Sequence, residues 1–273
     1  MDSISAAEVG IALATLAVGF VAGMLSALLG IGGAVVTTPA VRVLGATPIE
    51  AVGSTVPAIL PGAISGAYRY TRAGLVDWTL ALSLGISGAV FALGGAWVSD
   101  LVDGRLLMVL TAVLMLWSGV SVVRGGDRAR VAAAAAAERE RDGLEPETGN
   151  RSIWLLGVVG AGSGFVAGLL GVGGGIVMVP AMAGPLRIPM KRAVASSLVA
   201  VAIFSVPALV AHIVLGHVDW AFALPLMLGV VPGAQVGARL TIGASEESVR
   251  RWFGILVIVV ACIYGGTELA ALL

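Results

Sequence analysis

Residue types suited to holding a small anion occur twice in this chain at matched spacing. Gly30, Gly32 and Gly33 return as Gly171, Gly173, Gly174 and Gly175, and a proline follows each cluster, Pro39 and Pro180. Hydroxyls accompany both. Thr37 and Thr38 lie between the first cluster and its proline, Ser54 and Thr55 open the next apolar run, and Ser196 and Ser197 hold the matching place. Each glycine destabilises a helix by about 1 kcal/mol relative to alanine, and a proline removes one more backbone donor. The clusters with their prolines therefore predict helix breaks, with Pro39 and Pro180 as helix-breaking residues. A half-helix starting after a break presents free N–H groups and the positive end of its dipole, a setting that favours an anion. All these glycines and hydroxyls, with Arg42, form the expected substrate-binding set. Two bland readings compete: the glycines as a tight packing turn, and the hydroxyls as caps on their own helix.

Other chemistry finds less support. No Lys-Ser/Thr follows either glycine cluster, so neither is a nucleotide loop, and nothing suggests a nucleic-acid partner. No His, Cys or carboxylate cluster has metal-ligand spacing, and no Ser/His/Asp arrangement is discernible, so no enzyme, metal or cofactor is expected. The single cysteine, Cys262, excludes an intrachain disulfide. Arg42 reads either as a substrate contact or as a side chain reaching for the membrane interface. Asp77-Trp78 and Asp219-Trp220 recur where helices begin, as N-caps with interfacial tryptophans or as proton-coupling groups. His212 and His217 can titrate near neutral pH or serve as plain interface residues.

The elements that must position these residues are membrane helices. Hydrophobic residues make up 58% of the chain and charged ones 12%, against about 25% charge in soluble domains. Apolar runs cover 9–29, 34–44, 49–67, 78–98 and 106–123, then 153–170, 176–186, 193–215, 220–240 and 252–272. The second run of each set is too short to cross comfortably, and the third of the first set contains Pro57 and Pro61. Residues 1–123 and 152–273 thus read as two transmembrane repeats, joined by a polar linker, 124–151, with six arginines. Further matches, Ala51-Val52-Gly53-Ser54-Thr55 with Ala193-Val194-Ala195-Ser196-Ser197 and Gly74-Leu75-Val76-Asp77-Trp78 with Gly216-His217-Val218-Asp219-Trp220, keep an offset of 142. Gly19 and Gly23, and Gly164 and Gly168, carry the small-residue spacing that lets membrane helices approach. An odd number of crossings per half puts every Lys and Arg except Arg42 and Arg105 on one side. The positive-inside rule then places the linker in the cytoplasm and both termini outside, and odd parity turns the second repeat upside down. The expected fold is an all-α polytopic membrane protein, an inverted repeat of 8–10 helical elements with short or broken helices at the Gly-Pro motifs.

With its glycine, Ala-Val and Gly-x-Val-Asp-Trp motifs in both halves, the chain resembles the sulfite exporter TauE/SafE family of membrane transporter proteins. The carrying stretches are Gly23-Met24-Leu25-Ser26-Ala27-Leu28-Leu29-Gly30-Ile31-Gly32-Gly33 and Gly164-Phe165-Val166-Ala167-Gly168-Leu169-Leu170-Gly171-Val172-Gly173-Gly174-Gly175. The chain departs from the family pattern at Ala34, where a third glycine is usual. The resemblance implies a bacterial inner-membrane permease, commonly drawn with eight spans, that moves sulfite, sulfonates or related organosulfur anions, often outward. The expectation is a secondary transporter for a small anion, working by alternating access in the lipid bilayer and driven by a proton or other ion gradient. A passive anion channel, a membrane-embedded enzyme and an assembly subunit are the rival readings.

Overall fold

A computed structural model describes residues 6–124, 153–186 and 188–270, and the regular structure among them is helical throughout. Five helices make up the first stretch: α1 (Ala6–Leu29), α2 (Ala34–Val43), α3 (Pro48–Arg72), α4 (Trp78–Leu101) and α5 (Gly104–Arg124). Five more follow in the same pattern: α6 (Ile153–Leu170), α7 (Gly175–Ala183), α8 (Met190–Val214), α9 (Trp220–Gly243) and α10 (Glu246–Ala270). The expected linker beyond Arg124, and Arg187, lie outside the described residues. Helices α1, α4, α5, α8 and α9 contain stretches long and apolar enough to cross a membrane, and α2 and α6 are shorter apolar helices. Large side chains such as Val90, Trp97, Trp154 and Leu228 cover their outward faces, where a bilayer replaces water as solvent.

Several boundaries differ from the apolar runs. Helix α3 continues past residue 67 to Arg72, and α10 begins at Glu246, six residues ahead of its run. Hydropathy marks the part of a helix that suits lipid; the backbone stays helical through its charged ends. Pro57 and Pro61 lie inside α3, which remains one helix. The chain breaks at the glycines, while Pro39 and Pro180 lie within α2 and α7. A proline in a helix interior forfeits the bond to the carbonyl four residues earlier and crowds that carbonyl with its ring. For Pro180 that carbonyl belongs to Ile176, and the Ser118 hydroxyl donates to it at 2.6 Å.

The helices interlock across the two stretches. Along α1 and α9, Gly19 meets Leu226, Gly23 meets Val230 and Gly237 meets Met24. The reciprocal pair is α4 with α6, where Gly164 meets Gly88 and Gly168 meets Ala92. A side chain at any of these glycines would overlap the facing backbone, so the small residues set how closely the helices approach. In both pairs the contacts advance together, so the partners run in the same sense. Helices α3 and α9 also run together, with Gly53 on His217, Gly62 on Val230 and Arg69 bonded to Gln235. So do α4 and α8, with Asp77 on Ser196 and Gly85 on Ala200. The start of α8 lies at the end of α3, with Leu198 on Gly66. The end of α6, bonded to His212 near the end of α8, lies at the start of α3, with Gly171 on Val52. Helices α3 and α8 therefore run in opposite senses.

Candidate functional site

Each glycine cluster ends one helix and starts a short one, and the two clusters meet. Gly30, Gly32 and Gly33 have φ of 75°, 90° and 85°, and Gly171 and Gly173 have 62° and 69°, left-handed values that let the chain reverse. A Cβ on Gly32 would lie 3.2 Å from the Gly173 Cα and 3.2 Å from a Val201 methyl. A Cβ on Gly173 would lie 3.0 Å from the Ile31 carbonyl oxygen and 3.5 Å from the end of Ile59. Ile59 and Val201 are each the twelfth of 25 residues in α3 and α8, so the clusters meet at the middle of those helices. Gly174 and Gly175 join the same contact, against Ser163 and Gly30. The whole junction is buried.

The last carbonyls of a helix have no partner within it, and here side chains of other helices supply one. At the end of α1, the Tyr70 hydroxyl donates to Ala27 O at 2.6 Å, Thr241 to Leu28 O at 2.9 Å and Ser197 to Gly30 O at 2.8 Å. At the end of α6, His212 Nε2 bonds Gly168 O at 3.0 Å and Thr55 donates to Gly171 O at 3.4 Å. Thr55 and Ser197 thus do the same work on opposite breaks. Ser54 and Ser196 form the next reciprocal pair: Ser54 Oγ accepts from Asp219 N at 2.8 Å and Ser196 Oγ from Asp77 N at 3.0 Å. Both aspartates cap their helices, through Leu80 N at 3.1 Å and Ala221 N at 2.8 Å. Glu50 completes a capping box with Thr47 at the start of α3.

The starts of the short helices are different. Neither α2 nor α7 has a side-chain cap on its first amides. Beside each lies a buried serine whose hydroxyl makes no hydrogen bond: Ser26, next to Gly33, and Ser163, next to Gly174. Sequence reasoning passed over both, although Ser26 stands inside the first glycine motif and Ser163 between Gly162 and Gly164. Of the other expected residues, Thr38 reaches the centre through a 3.3 Å bond with Thr55. Thr37 bonds back to Gly33 O, at 3.4 Å. Arg42 points the other way and donates to Ala46 O at 2.9 Å, just beyond the end of α2.

One further cluster lies at the end of the molecule where α3 and α9 begin. His212 Nδ1 is 3.1 Å from His217 Nδ1, and His217 Nε2 is 3.0 Å from Asp100 Oδ1. Asp100 and His217 are 117 positions apart, so no local pattern could have joined them. They line a cleft of about 560 Å³ with Ser99, Asp103, Arg105 and Leu215. A second cleft of about 430 Å³, bordered by Glu50 and Asp219, opens at the same end. Among the described residues no group of three or more His, Cys, Asp or Glu side chains is placed to hold a metal ion.

Comparison with known proteins agrees with the architecture. The profile of the family described as "Sulfite exporter TauE/SafE" matches residues 15–264. A "Probable membrane transporter protein" of Xylella fastidiosa is 31% identical over 253 residues, covering 91% of this chain and 93% of the relative. The "Probable membrane transporter protein YunE" of Bacillus subtilis is 28% identical over 264 residues, covering 91% and 96%. A similarly named protein of Methanocaldococcus jannaschii is 26% identical over 249 residues, covering 85% and 87%. No solved structure matches the chain. A match along nearly the whole chain, on a bundle of apolar helices, makes this a multi-pass membrane protein that belongs to the sulfite exporter TauE/SafE family of membrane transporters.

Proposed function

We propose that the chain is a secondary transporter of a small oxyanion, in the class of sulfite, sulfonates and related organosulfur anions. It works by alternating access between residues 1–123 and 152–273, arranged as an inverted repeat. The observation that carries this reading is the junction itself. Two short-helix starts without a side-chain cap lie at one buried junction, and the buried serines next to them, Ser26 at Gly33 and Ser163 at Gly174, keep hydroxyls that make no hydrogen bond. Backbone amides and hydroxyls are neutral donors, so such a site favours an anion without a buried cation that would hold it too tightly to release. The substrate-binding set is then Gly30, Gly32, Gly33, Gly171, Gly173, Gly174 and Gly175, with Thr38, Thr55, Ser197, Ser26 and Ser163 around them. Thr37, Ser54 and Ser196 support it from the next layer.

The opposite senses of α3 and α8, and of the α1/α9 and α4/α6 pairs, support inversion. Two such halves can rock about a central site, as secondary transporters with inverted repeats do. The two clefts then lie on the side of Arg42 and Arg105, which the positive-inside rule places outside, with the linker in the cytoplasm of a bacterial inner membrane.

Transport is tested in proteoliposomes with radiolabelled sulfite, a sulfonate and a carboxylate, each with and without a pH gradient. Saturable movement of the sulfur oxyanions, accelerated by the gradient, is expected. Movement of none would remove the transport reading, and non-saturating conductance would make the protein a channel. Orientation is tested in a Cys262→Ala background with Arg105→Cys and Ala73→Cys. An impermeant reagent on intact cells should label the first and spare the second; the reverse pattern would invert the topology.

A further inference from the structure

The His212–His217–Asp100 chain imposes a proton count. The Gly168 carbonyl can only accept, so His212 Nε2 carries a proton and donates it. One proton must lie between the two Nδ1 atoms, and one between His217 Nε2 and Asp100 Oδ1. Three hydrogen bonds need three protons, but two neutral imidazoles and an ionised carboxylate supply two. The third comes from solution. His212 is fully buried and His217 5% exposed, whereas the Asp100 side chain is 52% exposed to the cleft. The opening for that proton is at Asp100.

We propose that this chain is a proton-binding site, filled and emptied through the cleft at Asp100, whose occupancy is communicated to the second glycine break through the Gly168 carbonyl. The third proton rests on His217 Nε2, as an imidazolium facing Asp100 Oδ1 at 3.0 Å. When it leaves, His217 and Asp100 face each other as two acceptors, and the chain must rearrange. Gly168 lies in the last turn of α6, three residues before Gly171, so rearrangement at His212 loosens the carbonyl that fixes that end of the break. The neighbouring charged groups do not replace Asp100. Asp103 caps α5 through Arg105 N and Leu106 N, the Glu50 carboxylate accepts from Thr47 N, and Asp219 caps α9. Arg105 lines the same cleft and provides a counter-charge there.

The repeat gives a second, independent reason. At the offset of 142, His212 answers to Tyr70, His217 to Leu75 and Asp100 to Ile242. Tyr70 holds the Ala27 carbonyl as His212 holds that of Gly168. The structural duty needs only a hydroxyl, so the imidazole pair and carboxylate add something the duty does not require.

This inference rests on the transport reading for the use of the proton, but the proton itself is measured without substrate. The chain contains only two histidines, so imidazole ¹⁵N spectra of the full protein in nanodiscs at neutral pH report them without assignment ambiguity. The expected result is one doubly protonated ring and one singly protonated ring. In Asp100→Asn the amide N–H can donate to a neutral His217, so both rings should be singly protonated. Two singly protonated rings in the wild type, or no change on Asp100→Asn, would overturn the proposal. In proteoliposomes Asp100→Asn should keep anion exchange without a gradient and lose acceleration by one. Undiminished acceleration in that variant would also overturn it. A wild type that moves no anion would count against the transport reading instead, leaving the ¹⁵N spectra to decide this one.

Discussion

The ends of α1 and α6 pose the same physical problem and solve it with different side chains. Each helix stops at a buried glycine cluster, so a last-turn carbonyl needs a donor from elsewhere. At Ala27 the donor is the Tyr70 hydroxyl, which spends its one proton there. At Gly168 it is His212, whose second nitrogen carries the connection to His217, Asp100 and an open cleft. Equivalent geometry with unequal chemistry suggests a division of labour: the glycine junction is common to both halves, and access for a proton belongs to one.

The largest effect is expected where the halves are alike. Gly171→Val would strain a backbone at φ 62° against Val52, and Gly30→Val would strain one at φ 75° against Val194. Each should cost about 3 kcal/mol or more, since the overlap is with backbone that cannot rotate away. Thermal unfolding and yield of monodisperse protein would read the loss. If one variant were tolerated and the other not, the two breaks would not be structural equals.

The next pair separates the ends. Tyr70→Phe leaves the Ala27 carbonyl without its tyrosine donor, and His212→Phe does the same at Gly168, at about 1–3 kcal/mol each. Stability should fall comparably, but only His212→Phe should flatten the response of transport to a pH gradient. The double change His212→Tyr with His217→Leu copies the other end of the molecule. It should recover much of the stability lost in His212→Phe and none of the gradient response. A smaller and symmetric effect is expected at the helix starts. Asp77→Ala and Asp219→Ala each remove an N-cap bond and should cost about 1 kcal/mol. A much larger effect on transport from Asp219→Ala would give that residue a second role.

What the sequence made legible follows from what repeats. The glycine clusters, the paired serines and the Asp-Trp starts are local patterns present twice, and the structure places each pair in reciprocal positions. The small-residue spacing of Gly19 and Gly23 likewise reports a close helix contact that any membrane helix could make. Two kinds of feature were not legible. Helix ends such as Arg72 and Glu246 lie beyond the apolar runs because hydropathy measures lipid compatibility, not backbone conformation. The prolines looked like breakpoints, but Pro180 is accommodated by Ser118, a residue 62 positions earlier that no local pattern connects to it. The His212–His217–Asp100 chain is hidden for the same reason, with the added obstacle that its counterparts in the first half have other chemistry.

The smallest expected change in stability bears most directly on the junction the halves share. Ser26 and Ser163 hold buried hydroxyls that bond to nothing in the protein. Their replacement by alanine removes a desolvated polar group, so stability should stay level or rise by about 1 kcal/mol. A residue retained only for folding would not behave this way. If those hydroxyls donate to the transported anion, each serine-to-alanine variant should lower apparent affinity several-fold, the loss of a hydrogen bond worth about 1–2 kcal/mol. The two losses should be similar, because the serines sit beside equivalent helix starts. Affinity unchanged in both, with stability unchanged, would move the anion away from the junction. Affinity lost in only one would keep the anion there but tie it to a single break, ending the equivalence on which the comparison of the two halves depends.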